Sequence, residues 1–173
     1  MIKILITEFI DSQSLQNINK KFDVIYKKDA WQNKDFLEKE IQKFDGIIVR
    51  NKTSLDKKIL INASNLKFIG RLGVGLDNID TEYCKKNNII VQPATGMNSD
   101  SVAEYVLNSS LTLLKKTHII KEQTLQGKWP RTSIVTKELK GKTFGLIGFG
   151  DISKKVLNLV NVFDVSCIAY DPF

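Results

Sequence analysis

Residues 144–153 read FGLIGFGDIS, and they hold the residue types most suited to chemistry in this chain. The apolar run TFGLI leads into Gly148 and Gly150, the first two glycines of a G-x-G-x-x-G turn, with Ser153 in the third place. A turn of this kind lets a helix N-terminus aim backbone N–H groups at a pyrophosphate. Gly148 permits the tight turn and Gly150 lets the backbone approach the phosphates. Phe149, Asp151 and Ile152 complete the loop and the first helical turn. Asp171 closes the next apolar run 21 residues after Gly150. An acid there accepts hydrogen bonds from both adenosine ribose hydroxyls and repels a 2′-phosphate, so the constellation predicts NAD over NADP. The alternative is a purely structural βαβ turn. Ser153 is small enough for close helix–strand packing. Asp151 suits the helix dipole but repels a nearby pyrophosphate, which Lys154 and Lys155 partly offset.

Elements must hold these residues in place, and the hydrophobic periodicity supplies them. IKILIT, FDVIYK, DGIIVR, LKFIGRLG and IIVQPA read as strands. Between them lie helical stretches: residues 12–20 with an Asp/Ser cap, DFLEKEIQKF with one apolar face at 36, 37, 41 and 44, LDKKILINAS, and DTEYCKKNN. Strand and helix alternate with short connections, which predicts an α/β domain built on a parallel sheet. From Ser101 to Gly127 runs a stretch without Pro or internal Gly. Ser101 and Glu104 form a capping-box pattern, and the stretch predicts one helix of about 40 Å that joins two domains. KWPRTSIVTKELKG reads as loop, and the remainder as strand, glycine turn, helix and strand. The boundary is expected near residue 99, giving domains 1–98 and 99–173.

Composition narrows the function classes. Hydrophobic residues make up 42% and charged residues 26%, as in soluble globular proteins. The longest apolar runs fall far short of the ~18 residues a membrane span needs, and the N-terminus reads as a first strand, not a signal peptide. A cytoplasmic protein with no membrane partner is expected. The net charge of +7 is spread along the chain with no Lys/Arg run longer than two, which argues against nucleic acid and leaves attraction of small anions. Cys84 and Cys167 lack metal-ligand spacing, and the apolar setting of Cys167 predicts a buried thiol.

Taken in order, IIVRNKT, FIGRLGVGLDNID, PATGMNSDSVAEYVL, GKWPR, GLIGFGDIS and AYDPF resemble the D-isomer-specific 2-hydroxyacid dehydrogenase family over essentially the whole chain. Phosphoglycerate dehydrogenases and (S)-sulfolactate dehydrogenases are its nearest branches by motif. The resemblance implies a flavodoxin-like substrate-binding domain followed by an incomplete Rossmann domain that stops after its second strand. It implies NAD as cofactor, a small anionic 2-hydroxy or 2-oxo acid as substrate, and a homodimer in the full-length enzyme. By position, the backbone of Gly73, Val74 and Gly75 matches the loop that holds the substrate carboxylate, where glycines leave the amides open. Val74 also matches a position beside the nicotinamide, with Val102 near it. Arg50 and Arg71 match strand-end positions facing the cleft, and Arg131 matches an arginine able to reach a neighbouring subunit's site. Three arginines suit a substrate with two anionic ends, since guanidinium forks grip carboxylate, phosphate and sulfonate alike. Asp77 and Asn78 read as turn and helix-cap residues.

The family's hydride transfer needs a histidine as general acid/base, a glutamate that tunes it and an arginine that orients the substrate. All three belong to the later half of the Rossmann domain. The single histidine here, His118, falls in the predicted long helix some 30 residues before the glycine turn, so it reads as a surface or packing residue. No catalytic residue is assigned. The expected function is that of an N-terminal part of an NAD-dependent 2-hydroxyacid dehydrogenase acting on a dianion such as sulfolactate or 3-phosphoglycerate, inactive on its own. The alternative is a non-catalytic NAD-binding or regulatory subunit that associates with a full-length homologue.

Overall fold

A computed structural model describes all 173 residues. The chain divides into two compact units, Met1–Thr95 and Gly96–Phe173.

The first unit alternates strand and helix. Its strands are β1 (Lys3–Ile6), β2 (Asp23–Tyr26), β3 (Gly46–Val49), β4 (Phe68–Arg71) and β5 (Ile90–Pro93). Its helices are α1 (Ser12–Asn19), α2 (Lys34–Glu40), α3 (Lys57–Leu60) and α4 (Thr81–Lys86). All pairings are parallel and the sheet order is β2-β1-β3-β4-β5, the flavodoxin-like arrangement. Alternation along β1 sends Leu5 to one face and Ile4 and Ile6 to the other. Leu5 joins Ile47, Val49 and Ile69 beneath Leu37 of α2, Ile59 and Leu60 of α3 and Cys84 of α4. Ile4 and Ile6 pack under Leu15 and Ile18 of α1. Each helix starts on a polar cap: Asp11 accepts from Ser14 N at 2.8 Å, Asn33 from Phe36 N at 2.9 Å, and Asp80 from Tyr83 N at 2.9 Å. Asp80, not Asp77 or Asn78, is therefore the helix cap in the GLDNID stretch.

The second unit contains α5 (Ser99–Lys115), α6 (Thr117–Leu125), β6 (Thr143–Ile147), α7 (Asp151–Val160) and β7 (Ser166–Tyr170). β6 and β7 pair in parallel as a two-stranded sheet. Phe144, Leu146 and Cys167 pack with Ala103 of α5 and Val156 and Val160 of α7. Lys155 of α7 also pairs with Asp100 of α5. The opposite sheet face stays open, with Ile147 94% exposed.

Three sequence expectations are corrected here. The long helix is two helices, because Lys116 adopts a left-handed conformation (φ 52°, ψ 36°). The Leu114 carbonyl, which a continuing helix would offer to residue 118, instead accepts from Lys137 N of the following loop at 2.9 Å. The helix also begins at Ser99 rather than Ser101, on a turn in which Ser99 N donates to Gly96 O at 3.1 Å; no capping box forms. Finally, Cys84 is the buried thiol and Cys167 is half-buried, since the two-stranded sheet covers only one side of it. No helix is long and apolar enough to cross a membrane.

Candidate functional site

Parallel strands present ligand sites beyond their C-terminal ends, at the point where strand order reverses. In the first unit that point lies between β1 and β3. The loops after β1, β3 and β4 meet there and carry the expected residues.

Arg50 follows β3 directly and is exposed. It borders two hollows. One, of about 550 Å³, is lined by Phe9, Ile10, Ser14, Ile18 and Leu72 among others. The second, of about 260 Å³, is lined by Glu8, Lys28, Asp29, Trp31 and Lys52. Around this second hollow Lys28, Arg50 and Lys52 stand with two carboxylates, Asp29 and Glu8. Lys52 Nζ lies 4.5 Å from the centre of the Trp31 ring. Sequence reading did not single out Lys28, Trp31 or Lys52, because separate loops bring them together.

Arg71 ends β4, and its guanidinium lies against the glycine loop that follows. A Cβ added at Gly73 would collide with Arg71 Nη1 and Cζ, and Gly73 has φ +154°, which a side chain strongly disfavours. A Cβ at Gly75 would come within 2.7 Å of Asp77 Oδ1. At Gly73 the positive φ itself favours glycine, while the crowding at both positions comes from the movable ends of the Arg71 and Asp77 side chains. The loop is anchored by Gly73 N to Arg71 O at 2.8 Å and by Ala94 N to Gly73 O at 3.0 Å. The N–H groups of Val74 and Gly75 donate to nothing within the chain. Arg71 Nε is buried without an acceptor. None of Arg50, Arg71 and Arg131 is engaged in an ion pair. An unpartnered guanidinium beside two open amides has the donor chemistry that suits an anion.

Two further residues shape this edge. Glu8, two residues beyond the end of β1, is only 4% exposed. Its carboxylate accepts from Arg50 N (2.8 Å), Thr53 N (2.9 Å) and Lys52 N (3.1 Å). Burial pushes its pKa up, but these hydrogen bonds outweigh burial and hold the carboxyl below its ordinary value, hence ionised. Asn78 sits on the other side of the same turn and donates from Nδ2 to Arg50 O (3.0 Å) and Thr53 O (2.7 Å). Sequence reading did not single out Glu8; its position just after the apolar run IKILIT is the signal that points to it.

The second unit carries the glycine turn. Gly148 has φ +87° and donates to Tyr170 O at 2.7 Å. Gly150 caps α7, and a Cβ at either glycine would meet nothing within 4 Å, so a cradle stands open above the turn. The N–H groups of Asp151 and Ile152 have no partner in the chain. Ser153, in the third glycine's place, donates from Oγ to Gly148 O at 2.7 Å and ties the turn to the helix. Asp171 follows β7; its Oδ2 accepts from Phe149 N and its Oδ1 from Phe173 N at 3.0 Å. The Phe149 bond foremost, then the Phe173 bond, hold its pKa below the ordinary value. Each oxygen retains a second lone pair for a ribose hydroxyl. These residues fit a dinucleotide: open cradle, free helix-end amides and an oriented acid.

Val102 is half-buried on α5. Arg131 lines a hollow of about 250 Å³ with Ile120, Thr124, Trp129, Pro130 and Ile134. His118 is exposed on α6.

The family model of the D-isomer specific 2-hydroxyacid dehydrogenase catalytic domain matches residues 4–162. A (S)-sulfolactate dehydrogenase of Chromohalobacter salexigens is 35% identical over 173 residues, all of this chain and 56% of that protein. A D-3-phosphoglycerate dehydrogenase of Archaeoglobus fulgidus is 33% identical over 172 residues, 99% of this chain and 32% of its own. Among solved structures, D-lactate dehydrogenase from Aquifex aeolicus, complexed with NAD and lactic acid, aligns at TM-score 0.86 and 28% identity, over 98% of this chain and 51% of that one. The TT0316 protein of Thermus thermophilus shares the fold, with TM-score 0.89 at 21% identity over 99% of this chain and 57% of its own. The chain thus spans between 32% and 57% of these proteins. The matched stretch runs from β1 through α7, the elements that carry both glycine loops, and the chain belongs to the D-isomer-specific 2-hydroxyacid dehydrogenase family.

Proposed function

We propose that the chain supplies the substrate-anchoring and NAD-anchoring parts of a dehydrogenase for dianionic 2-hydroxy acids, of the sulfolactate or 3-phosphoglycerate type. The observation that carries this reading is the unpartnered Arg71 guanidinium beside the open amides of Val74 and Gly75. These groups would bind the substrate carboxylate, and Arg50 the second anion, sulfonate or phosphate. Residues 1–95 act in this reading as the substrate-binding domain and residues 96–173 as the start of the nucleotide-binding domain.

NAD, when bound, supplies the acceptor for the C2 hydride. Gly148, Phe149 and Gly150 would shape the turn under its pyrophosphate, the free amides of Asp151 and Ile152 would bind it, and Asp171 would take the adenosine ribose, in preference to a 2′-phosphate. Val74 and Val102 would provide apolar walls toward the nicotinamide. Glycine amides and arginine forks orient the acid and polarise its carboxylate end, but none of these groups can take the hydroxyl proton. His118 is exposed on α6. Turnover by these 173 residues alone is therefore not expected. Arg131 is assigned to a neighbouring subunit's site in a homodimer. Two free cysteines, one of them buried with its thiol raised to about 11, suit a reducing, cytoplasmic setting.

The test is NADH formation at the length of polypeptide found by intact mass in the source cells, with sulfolactate, 3-phosphoglycerate and lactate as substrates. Oxidation of either dianion well ahead of lactate supports the reading. NAD binding without oxidation of any acid would favour a regulatory NAD-binding subunit instead.

A further inference from the structure

We propose that Glu8 and Asn78 are positioning residues that fix the separation between Arg50 and the Gly73–Gly75 loop, and so set the preference for a dianion over a monoanion. The inference rests on the dianion-site reading above and adds to it the groups that fix its span.

The Arg50 side chain is exposed and long, so its reach is defined only if its backbone is fixed. That backbone is held from both sides. Glu8 takes the Arg50 N–H at 2.8 Å, and Asn78 Nδ2 donates to the Arg50 carbonyl at 3.0 Å. The same pair grips Thr53, through its N–H at 2.9 Å and its carbonyl at 2.7 Å. Thr7 adds a hydroxyl contact to Thr53 Oγ1 at 2.8 Å. Both ends of the 50–53 turn are thereby locked to β1 through Glu8 and Thr7, and to the loop after β4 through Asn78.

Asn78 is also the link to the glycine loop, the end read above as holding the carboxylate. It lies three residues beyond Gly75, and its carbonyl accepts from Leu55 N at 2.8 Å. Leu72 N donates to Val49 O at 2.8 Å, which joins the start of the glycine loop to the end of β3. The two anion-binding ends thus stand on one hydrogen-bonded frame across three strand termini. A frame of this kind pre-pays the ordering of both ends before ligand arrives. A dianion that touches both ends gains from it; a monoanion that touches one end does not. Glu8 is 4% exposed, and its ionised state suits three N–H donors and no acceptor.

The experiment is an NMR titration of the isotope-labelled 173-residue chain with 3-phosphoglycerate and, separately, D-lactate, in wild type, Glu8→Gln, Glu8→Asp and Asn78→Ala. Wild type is expected to bind 3-phosphoglycerate the more tightly. The variants are expected to lose about tenfold of that preference while lactate affinity changes by no more than about twofold. A purely structural role would lower both affinities alike. If Glu8→Gln loses its native spectrum, Asn78→Ala and Glu8→Asp decide. A wild-type preference that survives unchanged in the folded variants overturns the inference alone. Absence of binding by either acid in wild type overturns the dianion-site reading, and the inference with it.

Discussion

Gly73 illustrates how one missing side chain can decide where an arginine lies. Its open position is filled by the Arg71 guanidinium, and its φ of +154° adds a second reason for glycine. Gly73→Ala should therefore expel Arg71 from the loop and weaken 3-phosphoglycerate binding by about tenfold, as loss of a charge-assisted contact does. Calorimetric titration checks this, and Arg71→Met should give a similar loss. Glu8 makes a different prediction, about pH. Its folded pKa is depressed below the ordinary 4.5, so the stability it contributes is fully present above that value. It is lost as pH falls through the folded pKa. Urea unfolding followed by Trp31 fluorescence, in a Trp129→Phe background that silences the second unit's tryptophan, should show the first unit weakening below about pH 4.5, with a shallower decline in Glu8→Gln. Other depressed carboxylates, such as Asp11 at the start of α1, should leave part of the decline in place.

At the scale of elements, the break between α5 and α6 is the clearest departure from local pattern. The run from Ser101 to Gly127 contains no helix breaker, and its composition favours continuity. Lys116 is nevertheless left-handed because the Lys137 amide takes the Leu114 carbonyl. A non-glycine residue pays for that conformation, so Lys116→Gly should stabilise the helix pair by about 1 kcal/mol. Hydrogen exchange of α5 and α6 amides would measure it. An unchanged or lower protection would mean that the Lys side chain contributes more than the backbone relief.

At the scale of the molecule, the two units differ in how completely their sheets are covered. In the first, five parallel strands have helices on both faces, with Leu5, Ile47, Val49 and Ile69 inaccessible. In the second, two strands have helices on one face only, and Ile147, Ile168 (65%) and Tyr170 (68%) lie open. Parallel strands gain most of their stability from burial on both faces. Native-state hydrogen exchange should therefore find β6 and β7 opening at distinctly lower free energy than β1 and β3. Equal protection in both sheets would refute this account of unequal burial.

Much of this could be read without coordinates. The β-α alternation, the parallel sheet, the glycine turn at 148–150 and its acid at 171 are local patterns. Each is carried by residues within a few positions of one another, or at a spacing fixed by one strand–helix–strand unit, so periodicity and turn chemistry reveal them. The tertiary structure alone decided the rest. Glu8 meets partners 42 to 45 residues away, and Lys28, Trp31 and Lys52 meet from separate loops. Lys137 ends a helix from 23 positions downstream of the carbonyl it captures. Sequence shows which backbone conformations each segment favours. Which buried carboxylate finds which amides, and which carbonyl is captured from a distant loop, depends on packing that brings remote segments to one strand edge.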